Sequence, residues 1–116
     1  MTRTMTTTAF AALALLAAGL AGTPEAAAAS PSFSCKGRLT ATERAICDSP
    51  VLSSLDRQMA REYAHRMGSF RTSEGRSSLK AAQRGWLATR NSCGASKGCL
   101  RAEYEDWISQ LVEWDL

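Results

Sequence analysis

Four cysteines, one histidine and three polar residues set among apolar ones carry what chemistry this 116-residue chain offers. Cysteine thiols can ligate zinc or pair as disulfides. Eleven residues separate Cys35 from Cys47 and five separate Cys93 from Cys99, unlike the paired CxxC knuckles of zinc sites, so disulfides are expected and no metal. Of the three possible connectivities, the local one (Cys35 with Cys47, Cys93 with Cys99) asks only that the chain fold back over one short helix and one turn. That suffices to bring the Cα atoms within the roughly 6 Å a disulfide needs. The chain-entropy model credits these short loops with about 2.9 and about 2.4 kcal/mol, less than long-range pairing would give, so geometry decides the choice.

His65 is the only histidine, and its neighbours Arg61, Glu62 and Arg66 put it on a solvated face. At 100° per residue Asp56 falls among Leu52, Met59 and Tyr63, and Gln83 and Arg90 fall among Leu79, Trp86 and Cys93. If these two stretches pair antiparallel about a turn near Ser73, Asp56 meets Arg90 and Tyr63 meets Gln83. A carboxylate and a guanidinium withdrawn from water each need the other, since either alone bears a desolvation cost of several kcal/mol. Asp56, Arg90 and Gln83 are therefore expected to be structural. An acid/base site would need a second carboxylate or a nucleophile nearby, and no Gly-rich phosphate loop, HExxH or Ser/His/Asp set can be assembled. The expectation is a protein without catalytic residues or cofactor.

The elements that position these residues read as helices. Thr40-Ala41-Thr42-Glu43 is a capping box opening a short helix through Cys47, which Asp48-Ser49-Pro50 stops. Ser49 then caps a second helix with Pro50 at its first position, and Leu52, Leu55, Met59, Tyr63 and Met67 recur at spacings of three and four. Gly68, Ser69, Thr72, Ser73 and Gly75 form a break, after which Leu79, Ala82, Trp86, Leu87 and Cys93 mark a third helix. A turn from Gly94 to Gly98 precedes a fourth, whose stripe is Leu100, Tyr104, Trp107, Ile108 and Leu111. The fold class expected is all-α: a small disulfide-stapled helical domain of one short and three longer helices, the second and third antiparallel.

Composition agrees, with 45% hydrophobic, 22% charged and only 7% aromatic residues. Arg3, the apolar run from Ala9 to Gly22 and the small residues Ala26 to Ala29 read as a signal peptide over 1–29, leaving a domain at 30–116 that begins at Ser30. The apolar run is short of a bilayer span, and Thr23, not cysteine, follows Leu20-Ala21-Gly22, so no membrane anchor is expected. The reading is an exported protein, periplasmic or secreted, which disfavours a nucleic-acid partner. Nothing in the pattern sets an oligomeric state. Removing 1–29 takes one base and one acid and leaves the net charge at +3. From Arg71 to Arg101 seven bases face only Glu74, whereas Glu103, Glu105, Asp106, Glu113 and Asp115 follow without a base. Solvated faces, with antiparallel neighbours neutralising one another, are the simplest account.

The ordered set Phe33-Ser34-Cys35, Thr42-Glu43-Arg44-Ala45-Ile46-Cys47, Leu55-Asp56-Arg57-Gln58-Met59 with Tyr63, Leu79, Gln83-Arg84-Gly85-Trp86-Leu87-Ala88-Thr89-Arg90 with Cys93, and Cys99-Leu100 with Tyr104 resembles the LprI-like lysozyme-inhibitor N-terminal family. It departs from that pattern at Trp107, where the family carries Arg. The resemblance implies a small exported helical domain that binds and blocks lysozyme or another peptidoglycan-cleaving muramidase, including as an immunity protein against a lytic toxin. The alternative is a non-inhibitory envelope module that binds a small ligand or a structural partner. Animal lysozymes are strongly basic, so steering by a +3 chain has to come from the acidic last helix. Asp106 and Glu113 share its solvent stripe and Glu103 borders it, which makes these three the expected partner contacts.

Overall fold

Each helix begins where a hydroxyl can accept one of the amides a helix start leaves unpaired. Thr40 accepts from the Glu43 amide and Glu43 answers on the Thr40 amide, completing the expected capping box. Ser49, Thr72 and Ser96 accept likewise from Leu52, Gly75 and Cys99. The computed structural model describes residues 30–115, and the expected signal peptide at 1–29 lies outside them. The helices are α1 (Ala41–Cys47), α2 (Pro50–Ser69), α3 (Ser73–Ser92) and α4 (Lys97–Val112), with no strand among the described residues. The break before α3 is shorter than its composition suggested: Ser73 and Gly75 already belong to the first helical turn, because Thr72 supplies the cap. Gly98 likewise falls inside α4, since Ser96 caps it.

α2 and α4 run side by side in parallel. Asp56 reaches Tyr104 early in both, and an Arg66 guanidinium N–H donates to the Val112 carbonyl at their far ends. α3 returns antiparallel and lies closer to α4 than to α2. The core between them holds Leu52, Met59, Leu79, Leu100, Ile108 and Leu111, each at most 7% exposed. Trp86 anchors α3 against α4: it stacks on Trp107 at 5.9 Å, meets Tyr104 edge-on at 5.2 Å, and donates from its indole N–H to the Glu103 carbonyl at 3.2 Å. An indole or phenol brings much apolar area inward but carries a polar atom that must find a partner.

α1 closes one end of this bundle. The Thr42 hydroxyl donates toward the carbonyls of Gly94 (2.8 Å) and Asn91 (3.3 Å), and the Ser53 hydroxyl donates to the Ile46 carbonyl at 2.8 Å. Both disulfides sit here and both are the local pairs: Cys35–Cys47 with Cα atoms 5.9 Å apart, and Cys93–Cys99 at 5.6 Å. Between the latter two cysteines Gly94 takes φ +58°, a left-handed conformation open to glycine, which lets α3 end and the chain turn sharply.

Candidate functional site

The inward polar residues gather at one level of the bundle. Asp56, only 1% exposed, receives three hydrogen bonds: from the Ser32 amide (2.7 Å) and hydroxyl (2.5 Å) on one oxygen, and from the Tyr104 hydroxyl (2.7 Å) on the other. Arg90 is also buried, its Nη1 3.9 Å from the second carboxylate oxygen and 3.3 Å from the Tyr104 hydroxyl. Its Nε and Nη2 fork onto the Asn91 amide oxygen at 3.1 and 2.9 Å, and its guanidinium carbon stands 6.0 Å from the Trp86 ring centre. The structure thus brings Asp56 and Arg90 together, but Tyr104 stands between them as bridge. Each charge keeps its own hydrogen-bond partners, which is the condition for tolerating ions out of water.

Gln83 lands elsewhere than expected. Its carbonyl oxygen accepts from the Trp107 indole at 2.7 Å and its amide nitrogen touches the Met59 sulfur at 3.3 Å, so its partners are Trp107 and Met59 rather than Tyr63. At this level Gln83 therefore meets α2 about one turn away from its expected partner, while Asp56 and Arg90 meet as expected. Three partners are not legible in the spacing of the sequence: Ser32 lies in an irregular segment without periodicity, the acceptor of Asn91 is aimed by the helix end, and Tyr104 belongs to α4, outside the α2–α3 pairing. Tyr104 could have been found, since a tyrosine in an apolar stripe needs an acceptor for its hydroxyl.

Burial, and then the charge of Asp56 and the hydrogen bond to it, hold the Tyr104 phenol far above the ordinary tyrosine range. That phenol stays protonated at neutral pH and serves as a donor. Asp56 and Tyr104 are 1% and 0% exposed, so this cluster is closed to solvent. No group of three His, Cys, Asp or Glu residues that could hold a metal occurs among the described residues. Nor is any helix among them long and apolar enough to cross a membrane.

The acids of α4 divide between its flanks. Asp106 and Glu113 are exposed on the outer side, where the Gln110 amide donates to Asp106 at 2.9 Å. Glu103 is half-buried on the α3 flank, its carbonyl taken by Trp86. Glu105 pairs with Arg101 at 2.8 Å on the α2 flank, both side chains more than half exposed. The ion pairs among the described residues are this one and Asp56–Arg90. No ion pair among the described residues joins α3's bases to α4's acids: the α3 side chains that meet α4 are Trp86, Gln83 and Arg90, and Arg90 meets the Tyr104 hydroxyl rather than an acid. No protein family, curated protein or solved structure matches the chain.

Proposed function

We propose that this chain is an exported inhibitor that binds and blocks lysozyme or a related peptidoglycan-cleaving muramidase, with the outer face of α4 as its contact. The family resemblance suggests the target class. The observation that carries the contact is the exposed pair Asp106 and Glu113, free of ion pairs among the described residues, on a chain whose net charge is otherwise positive. Two disulfides suit an oxidising compartment, where such enzymes act. Blocking needs no chemistry from the inhibitor, only a rigid surface, and the buried Asp56 cluster supplies that rigidity.

Lysis of cell walls by lysozyme, followed as turbidity with and without the oxidised protein, tests the reading. Wild type should slow lysis. Asp106→Lys with Glu113→Lys should slow association and weaken inhibition about tenfold or more at low salt, the gap closing as salt rises. Equal inhibition by both proteins at low salt would remove α4's acids from the interface. No inhibition of any muramidase would leave the non-inhibitory envelope module as the reading.

A further inference from the structure

We propose that the outward side of the α2–α3 pair binds an anionic glycan chain. Contacts already described orient both helices. On α2, Asp56 points inward, and Leu55 and Arg66 lie on the flank that meets α4, so Arg57 and Arg61 fall on the flank turned toward α3. On α3, Leu79 and Trp86 point inward and Gln83 reaches Met59 of α2, so Arg76, Lys80 and Arg84, on the same flank as Gln83, fall on the side turned toward α2. The Gln83–Met59 contact sets the level, placing Arg61 opposite Lys80 and Arg57 opposite Arg84. Five cations thus share one face. Arg61, Arg76, Lys80 and Arg84 are exposed and Arg57 is half-buried.

No acid accompanies them. Glu62 and Glu74 lie on other flanks, and none of the five cations is in an ion pair among the described residues. Arg57 Nε is buried without a hydrogen-bond partner. Arg57 with Arg61, Arg76 with Lys80 and Lys80 with Arg84 are like charges four residues apart, an arrangement that weakens a helix. The face is costly for the fold alone, and a bound polyanion offsets that cost.

The choice of polyanion follows from what the face lacks. Bases of a single-stranded nucleic acid need exposed rings to stack on, and the nearby Tyr63 and Phe70 are both part of the core packing. A bilayer would draw in exposed apolar side chains, and the two large ones among the described residues, Val51 and Val112, lie on the α2–α4 side. Cations repeat every four residues along α3, about 6 Å of rise per step. An extended glycan with acidic groups on successive sugars matches such a row, and the disulfides suit a compartment where glycans are exposed.

Heparin is the probe, titrated against oxidised protein at low and raised salt. Wild type should bind and weaken steadily with salt. Lys80→Gln with Arg84→Gln should lower affinity at least about tenfold, whereas Lys97→Gln with Arg101→Gln, an equal charge loss on the α2–α4 side, should change it less than about twofold. All four residues are exposed, so thermal melts should show both variants folded. Absence of heparin binding at low salt, or an equal loss from both variants, overturns the proposal. So does single-stranded DNA or an anionic vesicle binding more tightly than heparin. None of these outcomes depends on whether a muramidase is inhibited.

Discussion

At one end of the bundle, α1, the segment before it and the α3–α4 turn are joined by two disulfides, by Thr42 reaching across to Gly94, and by Ser32 reaching Asp56. At the other end, residues 70–72 connect α2 to α3 with a Thr72 cap, an Arg76 guanidinium N–H donating to the Phe70 carbonyl at 3.0 Å, and the Phe70 ring lying where a side chain on Gly75 would stand. The difference follows helix length. α2 and α3 have 20 residues each and bury apolar stripes against α4, so one cap and one ring are enough to turn the chain. α1 has seven residues, too few to hold itself, and the segment before it has no helix at all. Crosslinks and side-chain latches stand where helical cooperativity is missing.

The contrast breaks most visibly at Asp56. Asp56→Ala should cost about 3 to 5 kcal/mol in chemical denaturation, because Tyr104, Ser32 and Arg90 all lose an acceptor or counter-charge at once. Arg90→Met should cost less, about 2 to 3 kcal/mol, since Asp56 keeps its donors from Ser32 and Tyr104. A larger loss for Arg90→Met than for Asp56→Ala would show that the ion pair, and not the Tyr104 bridge, dominates. Of similar size, replacing Cys35 and Cys47 together by Ala should lower stability by about 2.9 kcal/mol, read from the same denaturation curves. Amides of α1 should then exchange with solvent at least as fast as those of residues 70–75, erasing the difference between the ends.

A pH scan sharpens the comparison further. The folded phenol of Tyr104 keeps its proton when the unfolded one, at its ordinary value of 10.0, loses it. The stability this contributes is complete below pH 10 and is lost as pH climbs beyond, by about 1.4 kcal/mol at pH 11. Tyr104→Phe, though less stable at neutral pH, should lack that alkaline decline in its unfolding midpoint. At the unstapled end Thr72→Ala should cost only about 1 kcal/mol. The smallest effect is acidic. Hydrogen bonds from the Thr40 amide, and then its hydroxyl, hold Glu43 below the usual carboxylate range, so this support is present above the unfolded value and fades as pH falls through the folded one. The protection of α1 amides, taken relative to their intrinsic exchange rates, should fall with acidification, and Glu43→Gln should flatten that response.

The helices, both disulfides and the inward position of Asp56 were legible in the sequence because each rests on local information: hydroxyl caps, three-and-four spacing and short loop lengths. What escaped depended on a third element. Pairing α2 with α3 alone placed Arg90 against Asp56 but could not know that Tyr104 of α4 would come between them, nor that Trp107 of α4 would take the Gln83 carbonyl oxygen. Charge counting along the chain showed α3 basic and α4 acidic, yet gave no hint of which flanks meet. No α3 base pairs with an α4 acid among the described residues, and which of the bases share a face could be read only once the packing order was known.

Both disulfide rings close between cysteines adjacent in the sequence, the first wholly before the second, at separations of 12 and 6 residues. A chain delivered to an oxidant from its N-terminus can therefore seal Cys35 to Cys47 long before Cys93 appears. Cys93 in turn meets only Cys99 as a free thiol. For a chain so delivered native pairing follows delivery order, whereas reoxidation of a fully reduced chain, where all four thiols are present together, opens the two other connectivities.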